Sequence, residues 1–234
     1  MKKKNSMNFD ISNKNIILVG GNGILGSEYV NYLKDKVNKI IIIDLKSNNI
    51  DKYIKKYPNI IFLKSNILNK KNFIKKIKES IKLLKRVDVL INNAAITAQF
   101  SKDNKNFFNE FSTISWKESI DVTLNGAYYA CISVIPQMLK QKKGTIINIS
   151  SHYGVVSPMH TIYKNEEFNC PLSYSVSKHA ILGLTKWLAT KYINKGIKIN
   201  CISPGGIENN QTKSFINKYS KINPTKRMAK KNPV

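Results

Sequence analysis

Tyr174 and Lys178 have the side-chain types and spacing that suit proton transfer. Residues four apart share one face of a helix. A phenol titrates near ~10, so it is a poor acid or base at neutral pH unless a neighbouring cation stabilises its phenolate; Lys178 is such a cation. The chain holds 37 Lys, so the same spacing also arises by chance as a surface pair. Two features weigh against chance: Ser151 follows the apolar run Ile146–Ser150, and Pro204-Gly205-Gly206 closes the next run.

A second constellation suits phosphate. Gly20-Gly21-Asn22-Gly23-Ile24-Leu25-Gly26 lies where a strand-like run passes into a helix-like one. A tight turn there needs positive φ, a phosphate needs backbone free of side chains, and the helix amino terminus supplies N–H donors and dipole. Glycines 20, 23 and 26 alone are weak evidence. Asp44, 18 residues past Gly26 and ending the next apolar run, strengthens it. A carboxylate there holds both hydroxyls of an adenosine ribose and repels a 2′-phosphate, which points to NAD ahead of NADP. The alternative for Asp44 is a turn acid at the strand end, and Lys46 could tolerate a 2′-phosphate. His152, His160 and His179 lack the spacing of a metal site and have no acidic cluster beside them, so no metal is expected.

These residues need a scaffold that brings strand ends together. Short runs rich in β-branched residues recur at 16–19, 40–43, 60–63, 87–91, 145–149 and 197–201. Each is apolar on both alternating faces, the pattern of strands buried on both sides of a parallel sheet. Stretches 24–36, 70–86, 116–140 and 173–194 are long enough for crossover helices. The alternation predicts an α/β fold with a doubly wound parallel sheet, in which the carboxyl ends of the strands gather at a ligand crevice. Residues 1–13 read as a polar tail and 14–234 as one domain. Segments 97–112 and 154–172 break the alternation and suit a substrate cover.

Composition narrows the function classes. The formal charge is +25, which invites a nucleic-acid reading because clustered cations neutralise phosphates. Yet only Arg86 and Arg227 are Arg, and the Lys spread along the whole chain beside 34 Ile and 29 Asn. A compositional bias accounts for this better than a binding face, so no nucleic-acid partner is expected. No apolar run approaches the ~18 residues of a membrane span. Cys131, Cys170 and Cys201 are odd in number and widely spaced, which fits reduced thiols and a cytoplasmic protein.

Taken in order, Gly20-x-x-Gly23-x-x-Gly26, Asp44, Asn66-Ile67, Asn92-Asn93-Ala94-Ala95, Asn148-Ile149-Ser150-Ser151, Tyr174-x-x-x-Lys178 and Ser203-Pro204-Gly205 resemble the short-chain dehydrogenase/reductase family from Ile16 to Met228. The resemblance implies a Rossmann-like fold and a hydride transfer between a nicotinamide and a secondary alcohol or ketone. Tyr174 would be the proton donor or acceptor at the substrate oxygen. Lys178 would hold the nicotinamide ribose and lower the Tyr174 pKa, and Ser151 would hydrogen-bond the substrate. Asn92 would support the strand beside the cofactor, the backbone at Asn66-Ile67 would contact adenine, and Pro204, Gly205 and Ile207 would line the nicotinamide side. Gly20, Asn22, Gly23, Ile24, Leu25, Gly26 and Ala94 complete the cofactor set. The family forms dimers and tetramers through helices like 116–140 and 173–194, which implies a homo-oligomer.

Departures from the family qualify this picture. Thr123 stands where members with a catalytic tetrad carry Asn, and Asn125 lies roughly 200° around a helix from it. The family continues past the position of Val234 with a further strand, so the chain is expected to lack that strand and leave 197–201 as a sheet edge. The 22 residues between Ser151 and Tyr174 look like a subgroup associated with flagellin modification and surface-sugar synthesis, with His152, Tyr163 and Lys164 available to a substrate. An epimerase or dehydratase with retained NAD, and a cofactor-binding relative without catalysis, stand as alternatives.

Overall fold

The computed structural model describes residues 10–96, 113–166 and 168–231; the cover expected at 97–112 lies outside them. Six strands alternate with helices. They are β1 (Asn15–Val19), β2 (Lys39–Asp44), β3 (Ile60–Lys64), β4 (Val89–Asn92), β5 (Gly144–Ile149) and β6 (Ile197–Ile202), all parallel in the order β3-β2-β1-β4-β5-β6. The order reverses between β1 and β4, so the crevice of this doubly wound sheet opens above their carboxyl ends.

Each central strand buries both faces. Ile17, Val19, Ile41 and Ile43 pack with α3 (Lys70–Leu84), α5 (Gly126–Gln141) and α6 (Leu172–Tyr192), whereas Ile16, Leu18, Ile40 and Ile42 pack with α1 (Ile24–Leu33) and α2 (Asp51–Lys56). Ile40 to Ile43 are at most 1% exposed, and full burial of an isoleucine stabilises by roughly 1.5–3 kcal/mol. In α3 the buried residues Phe73, Ile77, Ser80 and Leu84 recur at helical spacing, and Asn69 caps the helix by accepting the Asn72 N–H at 3.1 Å.

Three features differ from the sequence expectation. β6 is buried on one face alone, because Ile197 and Ile199 alternate with exposed Lys198 and Asn200. It forms one edge of the sheet among the described residues. The helix expected over 116–140 is α4 (Thr113–Ile120) and α5 joined through a π-helical turn at Asp121–Asn125. Helices α2 and α7 (Lys213–Ile222) lie in stretches whose polar composition gave no helix reading.

Candidate active site

Tyr174 stands in the first turn of α6, where Pro171 starts the helix and accepts the Tyr174 N–H at 3.1 Å. One turn on, the Lys178 Nζ lies 5.7 Å from the centre of the Tyr174 ring and donates to the Ile149 carbonyl oxygen at 2.7 Å. Lys178 is 3% exposed, and burial pushes its pKa down to about 8. Burial also pushes the Tyr174 phenol up, against a smaller downward pull from the Ser151 hydroxyl. Desolvation of the phenol thus dominates in the protein alone, and the Lys178 Nζ is spent on the Ile149 carbonyl oxygen.

Ser151 follows β5 and is 5% exposed. Its Oγ accepts the Tyr153 N–H at 3.1 Å, which leaves its own O–H to donate elsewhere. The end of β5 is tied to α6, since the Ser150 Oγ donates to the Lys178 carbonyl oxygen at 2.7 Å and the Ser175 Oγ to that of Tyr153 at 3.0 Å. Gly154 permits this approach, because a Cβ there would lie 2.3 Å from the Ser150 Oγ.

Beneath the site runs a buried polar ladder. Asn92 Nδ2 donates to Asn148 Oδ1 (2.8 Å) and Asn148 Nδ2 to Thr185 Oγ1 (2.9 Å). Cys131 lies 3.4 Å from the same Asn92 amide, and burial pushes its thiol up to about 12. Asn92 thus supports β4 from below the crevice and does not line it.

Two cavities adjoin across the crevice. One of about 250 Å³ is lined by Gly20, Asn22, Gly23, Asp44, Asn66, Ile67 and Ala94, as expected, together with Leu45, Ser65 and Val122. The other, of about 680 Å³, gathers Ile24, Leu25, Ser151, Tyr174, Lys178, Pro204, Gly205 and Ile207. Gly26 lines neither; it is buried in the first turn of α1. Asn93, not expected as a site residue, lines both cavities and donates to the Gly20 carbonyl oxygen at 2.7 Å, pinning the glycine loop to the end of β4.

The smaller cavity and the loop beside it fit a dinucleotide. Gly20 takes φ +84°, and an added Cβ would lie 2.4 Å from the Ala94 nitrogen. Above Gly23 the space is open, the nearest atom to an added Cβ being Gly20 O at 3.8 Å, and no side chain caps α1. The helix therefore offers free N–H donors to an anion. The Asp44 carboxylate accepts the backbone N–H of Asn22 (2.9 Å) and of Leu45 (2.7 Å), one on each oxygen.

The larger cavity is closed by two segments that meet each other. The ring of Tyr163, in the turn His160–Tyr163, lies 5.1 Å from that of Phe215 on α7, and the rings of Phe168 and Phe215 are 5.0 Å apart. Lys218 Nζ donates to the Lys164 carbonyl oxygen at 2.7 Å and pairs with Glu166 at 3.0 Å, while the Thr212 hydroxyl donates to the same carboxylate. His152 and Tyr163 line this cavity, and the Tyr163 hydroxyl donates to that of Tyr153 at 2.9 Å. Burial holds His152 below its usual pKa, hence neutral near pH 7. Lys164 is exposed and does not line the cavity.

Thr123 sits in the π-helical turn, 2% exposed, with no hydrogen-bond partner for its hydroxyl among the described residues. Asn125 does not replace it, for its amide donates to Asp121 Oδ1 at 2.7 Å. Among the described residues no three His, Cys, Asp or Glu side chains gather as a metal site, and no helix is long and apolar enough to cross a membrane.

The family model for short chain dehydrogenases matches residues 14–220. The 3-oxoacyl-[acyl-carrier-protein] reductase FabG of Buchnera aphidicola subsp. Schizaphis graminum is 31% identical over 88% of this chain and 78% of its own length. The post-translational flagellin modification protein A of Campylobacter coli is 28% identical over 93% and 86% respectively. Among solved structures, a short chain dehydrogenase of Leptospira borgpetersenii with bound NAD+ superposes with a TM-score of 0.82 at 31% identity, covering 100% of this chain and 85% of that one. ElxO with NADP bound gives 0.74 at 25% identity, covering 94% and 87%.

Proposed function

Because the chain belongs to the short chain dehydrogenase family, a family of nicotinamide-dependent oxidoreductases, we propose that it interconverts a secondary alcohol and a ketone on a sugar or nucleotide-sugar substrate, with NAD preferred to NADP. One observation carries the chemistry: Ser151, Tyr174 and Lys178 line one cavity whose wall also holds the amino terminus of α1. When bound, the nicotinamide supplies or takes up the hydride. Ser151 donates its free O–H to the substrate oxygen. The Tyr174 hydroxyl gives that oxygen its proton in reduction, and the Tyr174 phenolate takes the proton up in oxidation. Lys178, with further N–H donors beyond the one spent on Ile149, holds the cofactor ribose and biases the phenol toward ionisation once the site is filled. Gly20, Asn22, Gly23, Ile24 and Leu25 receive the pyrophosphate, Gly26 lets the first turn of α1 pack against Gly20 and Gly21, Asp44 receives the adenosine ribose, and Asn66 and Ile67 the adenine.

The sugar reading rests on the walls of the cavity. Aromatic residues Tyr163, Phe168, Phe215 and Tyr219 and amide residues Asn169, Asn209, Asn210 and Gln211 line the same cavity, a mixture suited to a ring that is apolar on its faces and hydroxylated at its edge. The similarity to the flagellin modification protein agrees with it. Exposed Trp187, Tyr128, Ile132 and Trp116 on α4, α5 and α6 suit a second copy of the chain, which supports a homodimer or homotetramer; we propose a cytoplasmic location separately, from the odd, widely spaced cysteines.

Purified protein incubated with NADH or NADPH and a panel of keto-sugars, nucleotide-sugars and 3-oxoacyl thioesters tests the proposal. Turnover of a sugar with NADH, reduced at least a thousandfold by Tyr174→Phe, is the expected result. Turnover of acyl thioesters alone overturns the substrate class. Activity that survives Tyr174→Phe overturns the chemistry.

A further inference from the structure

The loop that follows β2 has no part in the reading above, yet it grips the glycine loop at several points. The Asn49 backbone N–H donates to the Asn22 side-chain oxygen at 2.9 Å, and the Asn49 side-chain amide donates to the Asn22 carbonyl oxygen at 2.7 Å. The Asn22 side-chain amide donates in turn to Asn48 Oδ1 at 3.1 Å, and the Asn48 amide closes the ring onto Asn49 Oδ1 at 3.1 Å. Asn22 is the residue whose backbone N–H holds the Asp44 carboxylate at 2.9 Å. The arc Leu45–Asn49 thus leaves Asp44 and returns to the residue that orients that same carboxylate. At its far end Ile50 is fully buried and anchors the arc to the core.

We propose that Asn49 is a positioning residue that sets the dinucleotide preference of this protein, by fixing Asn22 and through it the Asp44 carboxylate. The proposal rests on the reading of Asp44 as the adenosine-ribose site. Selectivity between two ligands is a difference of affinities, so a group that rejects one must be unable to move aside for it. Asp44 meets a ribose diol only in a fixed orientation. It excludes a 2′-phosphate only while it cannot swing away. A freed arc would do both kinds of harm, loosening the acceptor for the diol and letting the exposed Lys46, two residues past Asp44, approach a 2′-phosphate.

The sequence gives no hint of this clasp beyond an Asn-Asn pair in an Asn-rich chain. Each hydrogen bond is to an exposed group and is individually modest. Their effect on selectivity comes from their closure around one carboxylate.

The test is the dissociation constants of NAD+ and NADP+, measured by calorimetry on the purified full chain, for the wild type, Asn49→Ala and Asn49→Asp. Both substitutions remove the amide donor to the Asn22 carbonyl, and Asp places a carboxylate oxygen against it. Expected is NAD+ binding weakened three- to tenfold, with NADP+ binding unchanged or tighter, so that the ratio of the two constants shifts at least threefold. The melting temperature should stay within about 2 °C, because Ile50 keeps the arc anchored. Equal loss for both dinucleotides, or no change in either, overturns the proposal. A wild type that binds neither dinucleotide, or NADP+ the more tightly, overturns the Asp44 reading itself and is recognised before any variant is made.

Discussion

Replacing Lys178 by Met separates what this residue does for the fold from what it does for chemistry. Burial lowers its pKa from an ordinary value near 10.5 to about 8. A depressed lysine pKa means that the native state disfavours the charged form, so below pH 8 the buried ammonium destabilises the fold. At 1.36 kcal/mol for each pH unit of displacement, the penalty is about 3 kcal/mol. As pH rises from 8 to 10.5 the unfolded chain holds the proton longer than the native one, stability rises, and the penalty has gone once both states are neutral. Met fills a similar volume and carries no charge, but it leaves the Ile149 carbonyl oxygen without the donor now 2.7 Å away, which costs about 1–3 kcal/mol. At pH 7 the two effects nearly cancel or leave Lys178→Met somewhat more stable than the wild type, even though it turns over no substrate. The decisive quantity is the stability difference between the two proteins, obtained by urea denaturation at intervals from pH 7 to pH 10.5, where titrations common to both cancel. It should move by about 2–3 kcal/mol in favour of the wild type across that window. A difference that stays flat, or a variant that loses several kcal/mol at pH 7, refutes the view that Lys178 is a charge kept at the expense of stability.

Two further substitutions test the surroundings. Gly154→Ala places a Cβ 2.3 Å from the Ser150 Oγ and 2.6 Å from the Lys178 carbonyl oxygen; thermal melting should report a loss of about 1–3 kcal/mol, and a neutral result would show that β5 and α6 can separate there freely. Lys218→Ala removes the ion pair that helps to join the two covering segments, so steady-state kinetics should show a higher KM for the substrate with little change in kcat or melting temperature. A fall in kcat at constant KM would place Lys218 in the chemistry instead of the cover.

The β-sheet was legible because parallel strands buried on both faces leave runs such as Ile40–Ile43, which need no knowledge of their neighbours. Tyr174, Lys178 and Ser151 were legible for a similar reason: each is placed by a local feature, a helix start or a strand end. What escaped depends on partners distant in the chain. Asn93 meets Gly20 and Asn49 meets Asn22 across 73 and 27 residues, and nothing in either residue's own surroundings announces the contact. The π-helical turn at Asp121–Asn125 has no composition of its own, since one extra residue in a turn alters phase and not polarity. Helix α7 did carry a signal, for Phe215, Tyr219 and Ile222 recur at helical spacing among lysines, yet the charge of the tail obscured it. The burial of the Tyr174 phenol escaped for another reason. Spacing alone supplied the cation, but the competing desolvation exists only once the phenol is buried.

The Tyr153 amide behind Ser151 has a consequence for how activity should vary with acidity. An amide N–H neither gains nor loses a proton in the range where proteins stay folded, so the hydrogen bond that holds the serine oxygen is the same at pH 5 and at pH 10. Of the three groups around the reacting oxygen, that leaves only the phenol and the ammonium to titrate, and the two limbs of a rate profile would belong to them as a pair.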